Sequence, residues 1–148
     1  MEDGLLFKDM ENSLRNFFYT NHLDYVFERN QIEYNNKFKE KSYVSFQQYW
    51  NNHDIDLMFK FDLVHYSDGH FHAYISIYQY KDNKLERGFS LSNFLMNKHL
   101  RMPNLEEYAG EGIKGKIICY LDNVKEIILP ILKGELWLDS PTYWGNYK

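Results

Sequence analysis

Cysteine is almost missing from this 148-residue chain, where Cys119 is the single example. One thiol cannot form a disulfide within the chain, and a chain without disulfides fits a reducing compartment. No stretch approaches about 18 consecutive apolar residues, so no transmembrane helix is predicted. The acidic start, residues 1–4, lacks the basic region and apolar run of a secretory signal. We therefore expect a soluble protein of the cytoplasm with no membrane contact.

Basic residues are also in short supply. The chain has 17 Lys and Arg against 21 Asp and Glu, for a formal net charge of −4. Nucleic-acid binding needs a clustered excess of positive charge, so this class of partner is not expected. The acidity suits a partner with a basic surface instead.

Aromatic residues are the abundant class, at 18% of the chain, with 13 Tyr and 11 Phe. Hydrophobic residues reach 44%, which predicts a packed core rather than disorder. A chain of this length buries roughly 68–70% of its unfolded surface, so it needs no structural metal. Without a linker or an internal repeat, the sequence predicts a single domain over residues 1–148.

Two segments have the apolar spacing of helices. One runs from about Leu5 to Asn21, and its apolar residues recur every three or four positions up to Phe17 and Phe18. The other runs from about Gly115 to Lys133 and ends before Gly134, with Pro130 expected to bend its last turn. A shorter helix, at 91–100, and a helical turn at 105–110 are also predicted.

Strand patterns fill the middle of the chain, at 32–38, 43–50, 55–65 and 71–80, with a further short strand at 135–138. Segments 55–65 and 71–80 form a hairpin around Ser67-Asp68-Gly69. A three-residue loop with Gly69 in the left-handed conformation pairs Phe61 with Ile75 and Phe59 with Ile77. That register puts seven apolar side chains on one face, whereas a slip of one residue would mix the two faces. They are Leu57, Phe59, Phe61, Leu63, Ala73, Ile75 and Ile77. A turn at 81–84 follows.

Together these elements predict an α+β fold. We expect an antiparallel sheet of about four to five strands, flanked by an N-terminal helix and a long C-terminal helix.

The polar face of the hairpin is the main candidate site. It combines tyrosines, which are enriched at binding hot spots, with charged groups. A second helix, such as 91–100, could instead cover this face and use the tyrosines as core, and the sequence leaves both possibilities open. The predicted partner-binding residues are Asp56, Lys60, Asp62, His72, Tyr74, Tyr78 and Tyr80, with Glu106 and Glu107 as further acidic candidates. The aromatic tail, 137–147, could either pack on the body or join the interface.

Other sequence patterns indicate a functional site less clearly. Residues 110–116 have the glycine and lysine spacing of a phosphate-binding loop, but Ile117 stands where Ser or Thr is needed, so a loop leading into the long helix is the better interpretation. The hairpin histidines His65, His70 and His72 suggest zinc, yet the register sends His65 and His72 to opposite faces. Cys119 has no recognisable histidine partner. We predict no metal, no cofactor and no catalytic residue.

The order of elements resembles that of small bacterial immunity proteins, which neutralise polymorphic or contact-dependent growth-inhibition toxins. The resemblance lies in the aromatic strands after an amphipathic helix ending in Phe17-Phe18, the acidic turn at 105–108, and the Leu129-Pro130 break in the last helix. It implies a non-catalytic protein that binds one cognate toxin domain, often a nuclease. The alternatives are a small metal-dependent hydrolase that uses the hairpin histidines and an adaptor or structural protein.

Overall fold

The computed structural model describes residues 3–35, 42–100, 105–107 and 112–138. A five-stranded antiparallel sheet lies between an N-terminal and a C-terminal helix in the chain, so the fold is α+β as predicted. The elements in chain order are α1 (Asp3–Thr20), β1 (Val26–Asn35), β2 (Tyr43–Asn52), β3 (Leu57–Tyr66), β4 (Phe71–Lys81), β5 (Lys84–Ser90), α2 (Leu91–Asn97), a single 3₁₀ turn (Leu105–Glu107) and α3 (Gly112–Leu132).

The sheet is a meander in which each strand pairs with the next along the chain. The β3–β4 hairpin has the predicted register, with Phe59 opposite Ile77 and Phe61 opposite Ile75. Its loop is the predicted three-residue type, and Gly69 adopts φ +93°. The reason is the two-residue period of a strand, because this register places Leu57, Phe59, Phe61, Leu63, Ala73, Ile75 and Ile77 together on the buried face.

The next hairpin turns at Asp82 and Asn83, which both have positive φ, of 52° and 63°. Two such residues form the turn whose twist matches that of the flanking strands. The predicted turn at 81–84 is therefore confirmed, and it is followed by β5 at the edge of the sheet.

Both long helices pack on one face of the sheet. The Phe18 ring of α1 lies 5.2 Å from the ring of Trp50 and 5.4 Å from that of Phe59. From α3, the Tyr120 ring lies 6.3 Å from that of Phe61. Trp50 is fully buried, and its indole N–H donates to the side-chain carbonyl of Gln48, so the polar group within this core is paired.

Several boundaries differ from the predictions. The last helix begins at Gly112 rather than near Gly115, and it runs through Pro130 to Leu132. The first strand begins at Val26, earlier than predicted, and the predicted continuation over 36–38 lies outside the described residues. Residues 135–138 form no strand, because this stretch follows α3 without pairing to the sheet.

Candidate partner-binding face

The face of the sheet opposite α1 and α3 is hereafter called the open face. Strand alternation assigns its members, since neighbours across the paired strands share a face. They include Arg29, Glu33, Tyr43, Ser45, Gln47, Tyr49, Lys60, Asp62, Val64, Tyr66, His72, Tyr74, Tyr78, Tyr80 and Gly88.

Six of the nine predicted binding residues lie on this face, and all six are half-buried. They are Lys60, Asp62, His72, Tyr74, Tyr78 and Tyr80. Asp56 does not belong to strand β3 as predicted. It is an exposed turn residue with φ 53°, and its carbonyl accepts a hydrogen bond from the Tyr80 N–H at 3.0 Å. The turn from β2 is longer than the strand pattern indicated, so Asp56 borders the open face at its end.

The two acidic candidates from the helical turn are located elsewhere. The Glu106 carboxylate accepts a hydrogen bond from the Phe71 N–H at 3.2 Å, and the Glu106 carbonyl accepts one from the Lys116 ammonium. This places Glu106 at the start of β4 beside α3, apart from the open face. The side chain of Glu107 lies outside the described residues.

Helix α2 does not cover the tyrosines. Its buried residues, Leu91 and Leu95, join the core together with Phe89, and the Phe94 ring lies 5.7 Å from that of Phe89. Phe89 pairs with Ile77 on the helix-bearing face. Within the described ranges, the hairpin tyrosines are thus half-buried by their own neighbours on the sheet and not by a second layer of helix.

One end of the open face combines cations with aromatic rings. The guanidinium carbon of Arg29 lies 3.9 Å from the centre of the Tyr49 ring, and the Lys60 ammonium lies 5.7 Å from the same centre. Both contacts have the geometry of a cation–π interaction. A bulge between Phe27 and Arg29 adds Glu28, whose carboxylate accepts from Arg29 at 2.6 Å.

The Tyr78 ring lies over Gly88 on the neighbouring strand. A Cβ added at Gly88 would stand 3.2 Å from a carbon of that ring, so the missing side chain makes room for it. Tyr80 follows two residues later, and burial, with the neighbouring Tyr78, raises the pKa of its hydroxyl.

The centre of the open face is a chain of hydrogen bonds that starts at Asp62. The Ser45 hydroxyl donates to Asp62 at 2.5 Å, the Gln47 amide donates to Ser45, and the Tyr49 hydroxyl donates to Gln47. Burial raises the pKa of the Asp62 carboxyl, while the Ser45 hydrogen bond and the Lys60 charge act in the opposite direction. The ionised form of Asp62 therefore lowers the stability of the folded protein.

The hairpin histidines diverge, as the register predicts. His65 stacks on Phe71 at 4.1 Å on the helix-bearing side, whereas His72 lies on the open face 5.1 Å from the Tyr66 ring. His70 is in the loop, with its Nδ1 3.1 Å from Asp68. In the described part of the chain, no group of three His, Cys, Asp or Glu side chains is arranged to hold a metal ion.

The remaining sequence candidates have ordinary surroundings. Residues 112–116 of the glycine-rich segment form the first turn of α3 and not a loop, and 110–111 lie outside the described residues. Cys119 is half-buried on that helix, where its carbonyl accepts from the Asn123 amide at 2.8 Å. Of the aromatic tail, Trp137 packs beneath the Arg87 guanidinium at 4.3 Å, and residues 139–148 are outside the described part.

Sequence reasoning missed the contribution of strands β1 and β2. Arg29, Glu33, Ser45, Gln47 and Tyr49 complete the open face, but none was among the predicted binding residues. Strand β2 has aromatic side chains on both faces, so its polarity does not alternate clearly. The regular spacing of Tyr43, Ser45, Gln47 and Tyr49 is the signal that identifies them once the strand is paired.

Of the described helices, none combines the length and apolarity needed to cross a bilayer. Comparison with protein-family models, curated proteins and solved structures finds no match to this chain.

Proposed function

We propose that this protein is a non-catalytic inhibitor of the immunity type, which binds and neutralises a cognate bacterial toxin domain in the cytoplasm. The observation that carries the proposal is a sheet face without a covering helix in the described residues. It presents five half-buried tyrosines, Tyr43, Tyr66, Tyr74, Tyr78 and Tyr80, beside the buried ring of Tyr49.

Such a face suits protein binding for two physical reasons. Tyrosine offers a large, stiff ring and a hydroxyl, so it loses little conformational entropy on binding. Strands hold these rings more rigidly than loops would, which lowers the cost of ordering the interface.

The charges on this face are mixed, and their arrangement matters more than their sum. Arg29 and Lys60 lie at the Tyr49 end, whereas Glu33 and Asp62 line the centre. A partner whose basic residues meet the centre would be oriented as well as attracted, because complementary charge fixes the register of docking. A nuclease domain has such residues on the surface that binds phosphates.

The proposal predicts that a reading frame next to this gene encodes a protein with a toxin domain, and the test uses that domain. The purified proteins are mixed, and binding is measured by calorimetry for the parent, Tyr78→Ala and Asp62→Lys. We expect both variants to weaken binding by about tenfold or more, since truncating a hot spot costs 2 kcal/mol or more. Tyr19→Ala is the matched control, because this ring is 82% exposed on α1, on the other side of the molecule.

Thermal unfolding of the same variants shows whether the fold is intact. Retained binding by both Tyr78→Ala and Asp62→Lys would contradict the proposal. The same is true if both melt well below the parent, since the residues would then be core. Protection of growing cells against the toxin domain is expected to be lost in parallel with binding.

A further inference from the structure

A recess of about 280 Å³ lies in the open face over strands β1 to β4. Charged and hydroxyl-bearing side chains form most of its wall. The lining residues are Glu33, Tyr43, Ser45, Gln47, Lys60, Asp62, Val64, Tyr66 and Tyr74.

Two carboxylates, those of Glu33 and Asp62, face this recess. Among the described residues, no Lys or Arg nitrogen lies within 4 Å of either one. The nearby Lys60 ammonium lies over the Tyr49 ring instead. The negative charge of the recess therefore has no direct ion pair within the described chain.

The polar groups around Asp62 hold it in place without neutralising it. Ser45 donates to Asp62 at 2.5 Å, and Ser45 in turn accepts from Gln47 at 3.0 Å. Burial raises the pKa of the Asp62 carboxyl, and the charge of Glu33 adds to this, against the lowering effects of the Ser45 hydrogen bond and the Lys60 charge. A cation bound between the two carboxylates would offset both the burial and the Glu33 charge.

Three tyrosines complete the wall and favour a flat cation. The Tyr66 and Tyr74 hydroxyls are 3.1 Å apart, and the Tyr43 hydroxyl accepts from the Asn35 amide at 3.0 Å, so the rings are held in place. A guanidinium group is planar, is weakly hydrated, stacks on aromatic rings and can bond to a carboxylate with two N–H groups. The same face already stacks a guanidinium on a ring at Arg29 and Tyr49.

We propose that the recess receives the guanidinium group of an arginine side chain of the partner protein, paired with Asp62 and Glu33 and flanked by the three tyrosines. This inference rests on the proposed function, since it names the partner group that meets the centre of the open face.

The test is an NMR titration of the whole protein with N-acetyl-L-arginine methylamide at low salt. We expect saturable shifts of the backbone amides around Ser45, Asp62 and Tyr74, with a dissociation constant on the order of 1 mM. The matched probe is the citrulline analogue, which has the same shape but no charge, and it should not saturate. The lysine analogue should bind more weakly than the arginine probe.

Two variants locate the site. Asp62→Asn is nearly isosteric and should weaken binding of the arginine probe by about tenfold or more, since it removes the charged acceptor of a hydrogen bond. Glu33→Gln should weaken it to a smaller extent. Asp68→Asn is the control, because it removes the same charge in the exposed β3–β4 loop.

The outcomes separate this inference from the proposed function. If the arginine probe does not saturate, or the citrulline probe binds equally well, the recess is not a guanidinium site, whereas toxin binding through Tyr78 can still stand. If the arginine probe saturates in an Asp62-dependent way but the toxin domain does not bind, the recess is confirmed and the immunity function is wrong.

Discussion

At the scale of single residues, Asp62 lowers the stability of the fold but has a role in the proposed binding site. Its carboxylate is half-buried on the open face, where Ser45 donates to it and Glu33 repels it. A group whose charged form is disfavoured by burial costs stability whenever it is ionised. Residues of this kind are commonly found at functional sites.

Asp62→Asn should therefore unfold at a higher temperature than the parent near neutral pH. The pKa of the carboxyl is raised in the folded protein, so protonation of Asp62 favours the folded state. This contribution to stability is fully present below the unfolded pKa of about 3.9 and is lost as pH rises through the pKa of the folded protein. The advantage of the asparagine variant should thus shrink on acidification. Thermal unfolding of both proteins from about pH 7 to about pH 4 checks this, and an advantage that grows toward acid would contradict it. The charges that face Asp62 are Lys60 and Glu33.

Trp50 is the opposite case, a residue that serves the core. It is fully buried against Phe18 and Phe27, and its N–H is bonded to Gln48. We expect Trp50→Ala to lower the free energy of unfolding by about 3–5 kcal/mol, from lost burial and the cavity left behind. Urea denaturation measures this, with Tyr19→Ala as the control that should change by no more than about 0.5 kcal/mol.

At the scale of elements, the β3–β4 hairpin depends on the conformation of its loop. Gly69 has φ +93°, and no described residue other than its two chain neighbours has an atom within 4 Å of where its Cβ would be. Any penalty for a side chain there is conformational and not steric. The loop sets the register, and the register decides which side chains reach the open face.

Gly69→Ala should consequently destabilise the protein by about 1 kcal/mol or more. Gly4→Ala provides the contrast, because Gly4 lies in α1, also with open space around it, and alanine there should be neutral or stabilising by up to about 1 kcal/mol. Chemical denaturation of the two variants should give changes of opposite sign or clearly different size. Equal losses would show that φ at Gly69 is not the cause.

At the scale of the whole molecule, the two faces of one sheet have different tasks. The helix-bearing face buries Phe59, Phe61, Ile75 and Ile77. The open face carries hydroxyls and charges that pair mainly with one another. Substitutions on the open face should then affect binding more than folding, and those on the other face should do the reverse.

Gly88→Ala tests whether the shape of the open face matters to binding. The added methyl group would stand 3.2 Å from the Tyr78 ring and should displace it while leaving the core intact. We expect several-fold weaker binding to the toxin domain, with the midpoint of unfolding changed by only a few degrees. The chemical shifts of the Tyr78 ring report the displacement, and unchanged binding despite a displaced ring would count against an interface at Tyr78.

Local periodicity was sufficient to predict α1, most of α3 and the register of the β3–β4 hairpin. The reason is that a helix or a hairpin is specified by residues close in sequence, and the loop at Gly69 allows only one register that keeps Phe61 and Ile75 on the same side. The position of Asp56 was wrong because a left-handed turn residue can interrupt a pattern that otherwise continues a strand.

The sequence by itself thus determined the kinds of elements, their order and which side of the central hairpin is apolar. Only the tertiary structure decided that α2 packs beside Phe89 rather than over the tyrosines, and that Glu33 and Asp62 line the same recess. Both depend on contacts between residues far apart in the chain, and the local spacing of residues does not encode such contacts. Each side chain is compatible with several partners until the whole sheet is assembled.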